Sequence, residues 1–191
     1  MITALECKKA IRPFLSDKRY EHCVNVSKTA IKLAKKYGGD IYKAEIAGVL
    51  HDITKELPPD EQLKIINKFG IVITDTEFLN KKLWHAISGS VYIEHELYVQ
   101  DEEILNAVRY HTSGRKDMSL LEKIIFIADF ISKDRDYPGV EKMRKLANKS
   151  LELAMIEGIE FTVNELMGLR NMVAPQTIDA YNDALLTVNK K

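Results

Sequence analysis

Four histidines and two aspartates, in the order His22, His51-Asp52, His85, His111, Asp129, constrain this chain more than any other feature. The steps from His22 to His51, Asp52 to His85, His85 to His111 and His111 to Asp129 are 29, 33, 26 and 18 residues. Each step holds one helix and a connection, so each group can come from a different helix of a bundle and turn inward. Imidazole nitrogens and carboxylate oxygens are the donors that a divalent iron, manganese or zinc ion takes.

Helical periodicity dominates the rest of the chain, and strand-like alternation is nearly absent. Ser16-Asp17 caps a long helix that runs through Tyr37 and stops at Gly38-Gly39. Asp40 restarts a helix with Ala44 and Ala47 on one face, and Pro58-Pro59 ends that segment and opens the next. IVITDTEF, residues 71–78, reads as an irregular link to a helix from Trp84 to Tyr98. Asp101 to Glu103 start a helix that ends near His111, and the stretch from Ser119 to Lys133 is the most apolar of the chain. Three more helical segments fall near 140–148, 150–168 and 176–189. The expectation is an all-α fold, a single bundle of about eight to ten helices over residues 1–191.

Taken singly, the candidate ligands have plain alternatives. Asp129 sits inside a run of isoleucines and phenylalanines, so its carboxylate needs a partner, either an ion or a buried arginine. His51 follows Ala44 and Ala47 at helical spacing, and small neighbours suit either a bound cofactor or close helix packing. Asp52 is about 100° further round the helix, and the two converge on one ion if the helix ends there. His22 shares a stripe with Val26, Thr29 and Leu33, where a hydrogen-bonded core histidine is the common case. His85 and His111 have the same alternative, while His95, between two glutamates, reads as surface and is excluded.

Composition excludes several classes. Lys+Arg and Asp+Glu are both 28, so a nucleic-acid binder acting through bulk positive charge is not expected. No apolar run approaches the length of a membrane span, and no secretory leader is seen. Cys7 and Cys23 are too few for a disulfide framework and fit reduced thiols of a cytoplasmic protein.

The strings RYEHCVNVSKTA (19–30), AGVLHDITKELP (47–58), LWHAISGS (83–90), RYHTSG (109–114) and IFIADFISKDRDYPGVEKMR (125–144) carry a closer likeness. With them the chain resembles the HD-domain metal-dependent phosphohydrolases. It looks most like the YqeK-type branch, small bacterial proteins that cut diadenosine tetraphosphate symmetrically into two ADP. The resemblance implies that His22, His51, Asp52 and Asp129 hold a divalent or trivalent metal ion. Iron is favoured, with Mn, Zn, Co or Mg as alternatives, and one ion is favoured over two. It implies that Asp52 orients a metal-activated water, and that His85 and His111 meet the phosphates or protonate the leaving group. Lys55 and Arg135 become candidate phosphate contacts. Ile131, Tyr137, Met172 and Val173 are candidate walls for adenine. The expected partner is a small nucleotide, with no nucleic acid and no membrane, and a homodimer is left open. The alternatives are an HD-type hydrolase of another nucleotide (a nucleoside mono- or triphosphate or a guanosine alarmone) and a non-catalytic nucleotide-sensing module.

Overall fold

Most helices of this chain begin at a side-chain oxygen that accepts a main-chain N–H. In the computed structural model, which describes residues 2–190, Thr3, Ser16, Asp40, Thr74, Asp101, Ser119 and Ser150 each cap a helix in this way. The helices are α1 (Ala4–Ile11), α2 (Asp17–Tyr37), α3 (Ile41–Leu50), α4 (Pro59–Lys68), α5 (Asp75–Leu79), α6 (Trp84–His95), α7 (Glu102–Tyr110), α8 (Leu120–Ile131), α9 (Val140–Ala147), α10 (Leu151–Gly168) and α11 (Pro175–Asn189). One 3₁₀ turn, Lys81–Leu83, precedes α6, and there is no strand among the described residues. The all-α expectation holds.

The helix number exceeds the expected range because residues 71–78 are not a plain link. Thr74 and Glu77 form a capping box that starts α5, a signal present in the sequence and passed over. The helix at Trp84 also ends earlier than expected, at His95 rather than Tyr98.

Helix α8 runs through the core, with Ile124, Ile125, Phe126, Ile127 and Ala128 fully or almost fully buried, and packs against α2, α7, α9 and α10. Helices α2 and α3 pack closely through their small residues. A Cβ on Gly48 would lie 2.6 Å from Ser27 Cα, so the stretch carrying Ala44, Ala47 and Gly48 serves close packing and is not a vacant pocket. Of the two uses of small neighbours, helix contact is the one realised. That contact holds the histidine of α2 and the histidine at the end of α3 with ring centroids 5.4 Å apart. No helix among the described residues is long and apolar enough to cross a membrane.

Candidate metal centre

Helix α3 ends at Leu50, so His51 is its C-cap and Asp52 enters a tight run of turns. This is the helix end that lets adjacent residues face one point. His51 Nδ1 donates to Gly48 O at 2.9 Å, a main-chain carbonyl exposed by the helix terminus. His111 is built alike: it caps α7, and its Nδ1 donates to Val108 O at 2.7 Å. A carbonyl can only accept, so in both rings Nδ1 carries a proton and Nε2 is the nitrogen left to offer a lone pair to an ion. His22, in α2, is fixed differently, with Nδ1 2.7 Å from Asp134 Oδ2 and Nε2 2.9 Å from Asp129 Oδ1.

Asp52 stands in the middle. Its Oδ2 lies 2.9 Å from Arg19 Nη1, 3.4 Å from His51 Nε2 and 4.0 Å from His22 Nε2. Its Oδ1 lies 3.2 Å from His85 Nε2 and 3.5 Å from His111 Nε2. Asp129 Oδ1 is 3.9 Å from His51 Nε2 and also meets the Arg135 guanidinium, whose Nε donates to Asp129 O at 2.7 Å. The two partners weighed for Asp129, an ion or an arginine, therefore meet at one oxygen. All six predicted positions converge, although they come from five segments of the chain.

Two buried atoms in this cluster, His51 Nε2 and Asp52 Oδ1, have no hydrogen-bond partner. Orphaned acceptors at the centre of a nitrogen and oxygen donor set are what an ion would satisfy. Two groups have the spacing of a metal site: His22, His51 and Asp129, and His51, Asp52 and His111. Both need the single lone pair of His51 Nε2.

Charge around the centre is tightly balanced. Burial opposes ionisation of Asp52, but His51, His111 and His85 outweigh it and hold the carboxyl well below its usual range. Asp129 is likewise held low, against burial, by His22, Arg135 and His51. Burial pulls His22 down, yet Asp129 and Asp134 raise it above the ordinary histidine value. His85 goes the other way: burial, with Lys55 beside it, lowers it to about 4 despite Asp52. Lys55 Nζ lies 3.2 Å from His85 Nε2, and Thr112 Oγ1 is 3.3 Å from the same nitrogen.

A cavity of about 710 Å³ opens at the His22 end, lined by Lys18, Arg19, Asp134, Arg135 and Tyr137 among others. The four residues put forward for adenine do not share one wall. Tyr137 lines this cavity, Ile131 faces a separate one with Arg144, and Met172 lies beside Lys81 elsewhere. His95 is exposed and stacks on Phe69, so its exclusion stands. Arg19, Thr112 and Asp134 were missed. Arg19 lies one helical turn before His22 and was open to detection by that spacing, whereas Asp134 is hidden in a charged run that reads as surface.

A helical bundle that gathers a His-Asp dipeptide with an upstream histidine and a downstream aspartate is the pattern of one family, and the chain belongs to it: the HD domain, matched over residues 19–134. At the level of single proteins, it is 44% identical over 181 residues to the symmetrical bis(5'-nucleosyl)-tetraphosphatase of Bacillus subtilis (strain 168), spanning 94% of each chain. It is 37% identical over 179 residues to the protein of the same name from Staphylococcus aureus (strain NCTC 8325 / PS 47), spanning 93% of this chain and 92% of the other. A crystal structure of a predicted HD superfamily hydrolase involved in NAD metabolism, from Clostridium acetobutylicum, superposes with a TM-score of 0.93 at 34% identity over 100% of both chains.

Proposed function

We propose that this protein is a metal-dependent hydrolase that cuts diadenosine tetraphosphate symmetrically into two ADP. The observation that carries the reading is the near-full-length identity with relatives of that name, in a chain that brings all six expected donors to one point. Iron is the proposed ion, held by His22, His51, Asp52 and Asp129. The shared His51 lone pair supports one ion at these residues over two. The donor set lacks thiolate and consists of imidazole and carboxylate, which suits iron, with Mn, Zn, Co or Mg also accommodated.

When bound there, the ion supplies Lewis acidity and an acidified water for attack on phosphorus. The chain's own residues do the rest. Asp52 accepts from and orients the attacking water. A new P–O bond forms to the water oxygen as the bridging P–O bond between the second and third phosphates breaks, and each half leaves as ADP. Arg19, Lys55 and Arg135 stand around the centre and offset the charge on the phosphate oxygens. His85 is held neutral by burial, so it serves as an N–H partner of a phosphate rather than as a store of protons. His111, its neighbour at 3.1 Å between Nε2 atoms, completes that side. The proposed setting is the cytoplasm, in keeping with two free buried cysteines.

The test is product analysis on diadenosine tetraphosphate with metal content measured on the same sample. Two ADP per substrate and stoichiometric metal are expected. ATP with AMP, or no turnover by metal-loaded protein, would overturn the reading.

A further inference from the structure

Asp134 and Arg135, which flank the centre beside His22 and Asp129, lie in a turn just past the end of α8. Lys133 and Asp136 in the same stretch are exposed, so apolar burial does little to hold it. The last carbonyls of a helix also lack partners within it. Arg144, in α9, meets both needs. Its Nε donates to Ile131 O at 3.2 Å, and its Nη2 donates to Ser132 O at 2.9 Å and to Arg135 O at 3.0 Å. One guanidinium thus ties main-chain oxygens on both sides of Asp134.

We infer that Arg144 is a positioning residue of the metal centre. Its guanidinium fixes the turn that holds Asp134 Oδ2 against His22 Nδ1, and so sets the direction of the His22 Nε2 lone pair. The inference rests on the metal-centre reading and adds a residue whose contacts fall on main-chain oxygens, not on a donor of the centre. The chain of contact is short. From Arg144 it passes through the turn to Asp134, then over 2.7 Å to His22 Nδ1, whose ring presents Nε2 2.9 Å from Asp129 Oδ1.

The task suits arginine. A planar fork offers separate N–H groups to several acceptors, whereas a lysine ammonium is a hydrated point charge. The fork is itself held, because Val140, Met143 and Ala147 bury one face of α9 and Nη1 pairs with the exposed Glu141. Arg135 has other ties, its N–H to Ser132 O at 3.0 Å and its Nε to Asp129 O at 2.7 Å. Loss of the Arg144 fork therefore falls chiefly on Asp134.

The experiment measures the Kd for Mn²⁺ by chelator competition in the unaltered chain, Arg144→Lys, Asp134→Ala and the double variant. The melting temperature of each metal-free protein is read alongside. Arg144→Lys should weaken Mn²⁺ binding about tenfold, the low end for loss of a group that orients a ligand. Because both residues act through one bond, the double variant should bind about as tightly as Asp134→Ala alone. Glu141→Gln, which leaves the three carbonyl bonds in place, should keep the unaltered Kd. An unchanged Kd in Arg144→Lys, or a further tenfold loss in the double variant, overturns the inference. So does an equal loss in Glu141→Gln, which would make any disturbance of α9 sufficient. Failure of Arg144→Lys to fold also overturns it, by assigning the residue to the fold as a whole. An unaltered chain that takes up neither Mn²⁺ nor Fe²⁺ removes the metal reading and the inference with it, whereas uptake with an unchanged Kd in Arg144→Lys removes the inference alone.

Discussion

Replacing Asp134 should weaken metal binding without touching a metal ligand. Its Oδ2 accepts from His22 Nδ1 at 2.7 Å, and that bond decides which nitrogen of His22 faces the centre. His51 and His111 have their rings fixed by main-chain carbonyls that no side-chain substitution removes. Of these three, His22 is the one whose Nδ1 depends on a side chain. Loss of such a partner typically lowers metal affinity by about 10–100-fold, or roughly 1.4–2.7 kcal/mol. Asp134 is 32% exposed on its side chain, so water screens its charge and the smaller figure applies to Asp134→Asn, whose amide oxygen can still accept from Nδ1. Asp134→Ala leaves Nδ1 facing the 710 Å³ cavity without a partner and should approach the larger. Competition against a chelator of known affinity reads the metal Kd directly, and the melting temperature of metal-free protein reports any change in folding. An Asp134→Ala protein that binds metal as tightly as the unaltered chain would refute the reasoning.

Two further outcomes follow from the same geometry. In metal-free protein, His22 is raised above its usual 6.5, so its stabilisation is complete below that value and is lost as pH rises through the raised one. Metal must displace the Nε2 proton, so its affinity rises over the same interval; the gap in melting temperature between metal-loaded and chelator-treated samples should widen as pH rises above the ordinary histidine value of 6.5, and a constant gap would contradict this. Gly48→Ala should push α3 off α2, because the new Cβ would sit 2.6 Å from Ser27 Cα. The expected loss is about 1–3 kcal/mol, at roughly 2–4 °C of melting temperature per kcal/mol for a chain of this size, and an unaltered melting curve would count against it.

The candidate ligands were legible because metal donors are rare residue types whose order survives folding. Five histidines are few enough to be weighed one by one, and the exposed His95 was separable by its charged neighbours. What surrounds the donors was less legible. Asp134 and Arg19 act through tertiary contacts with His22 and Asp52, and nothing in KDRD separates a structural carboxylate from a solvated one. Helix α5 is a different kind of miss: Thr74 and Glu77 announce it locally, but the β-branched residues before them read as a link. The residues put forward for adenine are divided among cavities because sequence proximity to a ligand says little about which cavity a side chain enters, as Ile131 and Tyr137 demonstrate.

The donors of the centre come from α2, the end of α3, α6, the end of α7 and α8, from residue 22 to residue 129. No partly docked chain can present them together, since only His51 and Asp52 are neighbours in sequence. An ion taken up by this centre therefore binds the finished fold and little else. At a free concentration one hundred times its Kd, it would add about 2.7 kcal/mol to stability by mass action. Supply of the ion thus governs how long a folded molecule persists as well as whether it turns over substrate.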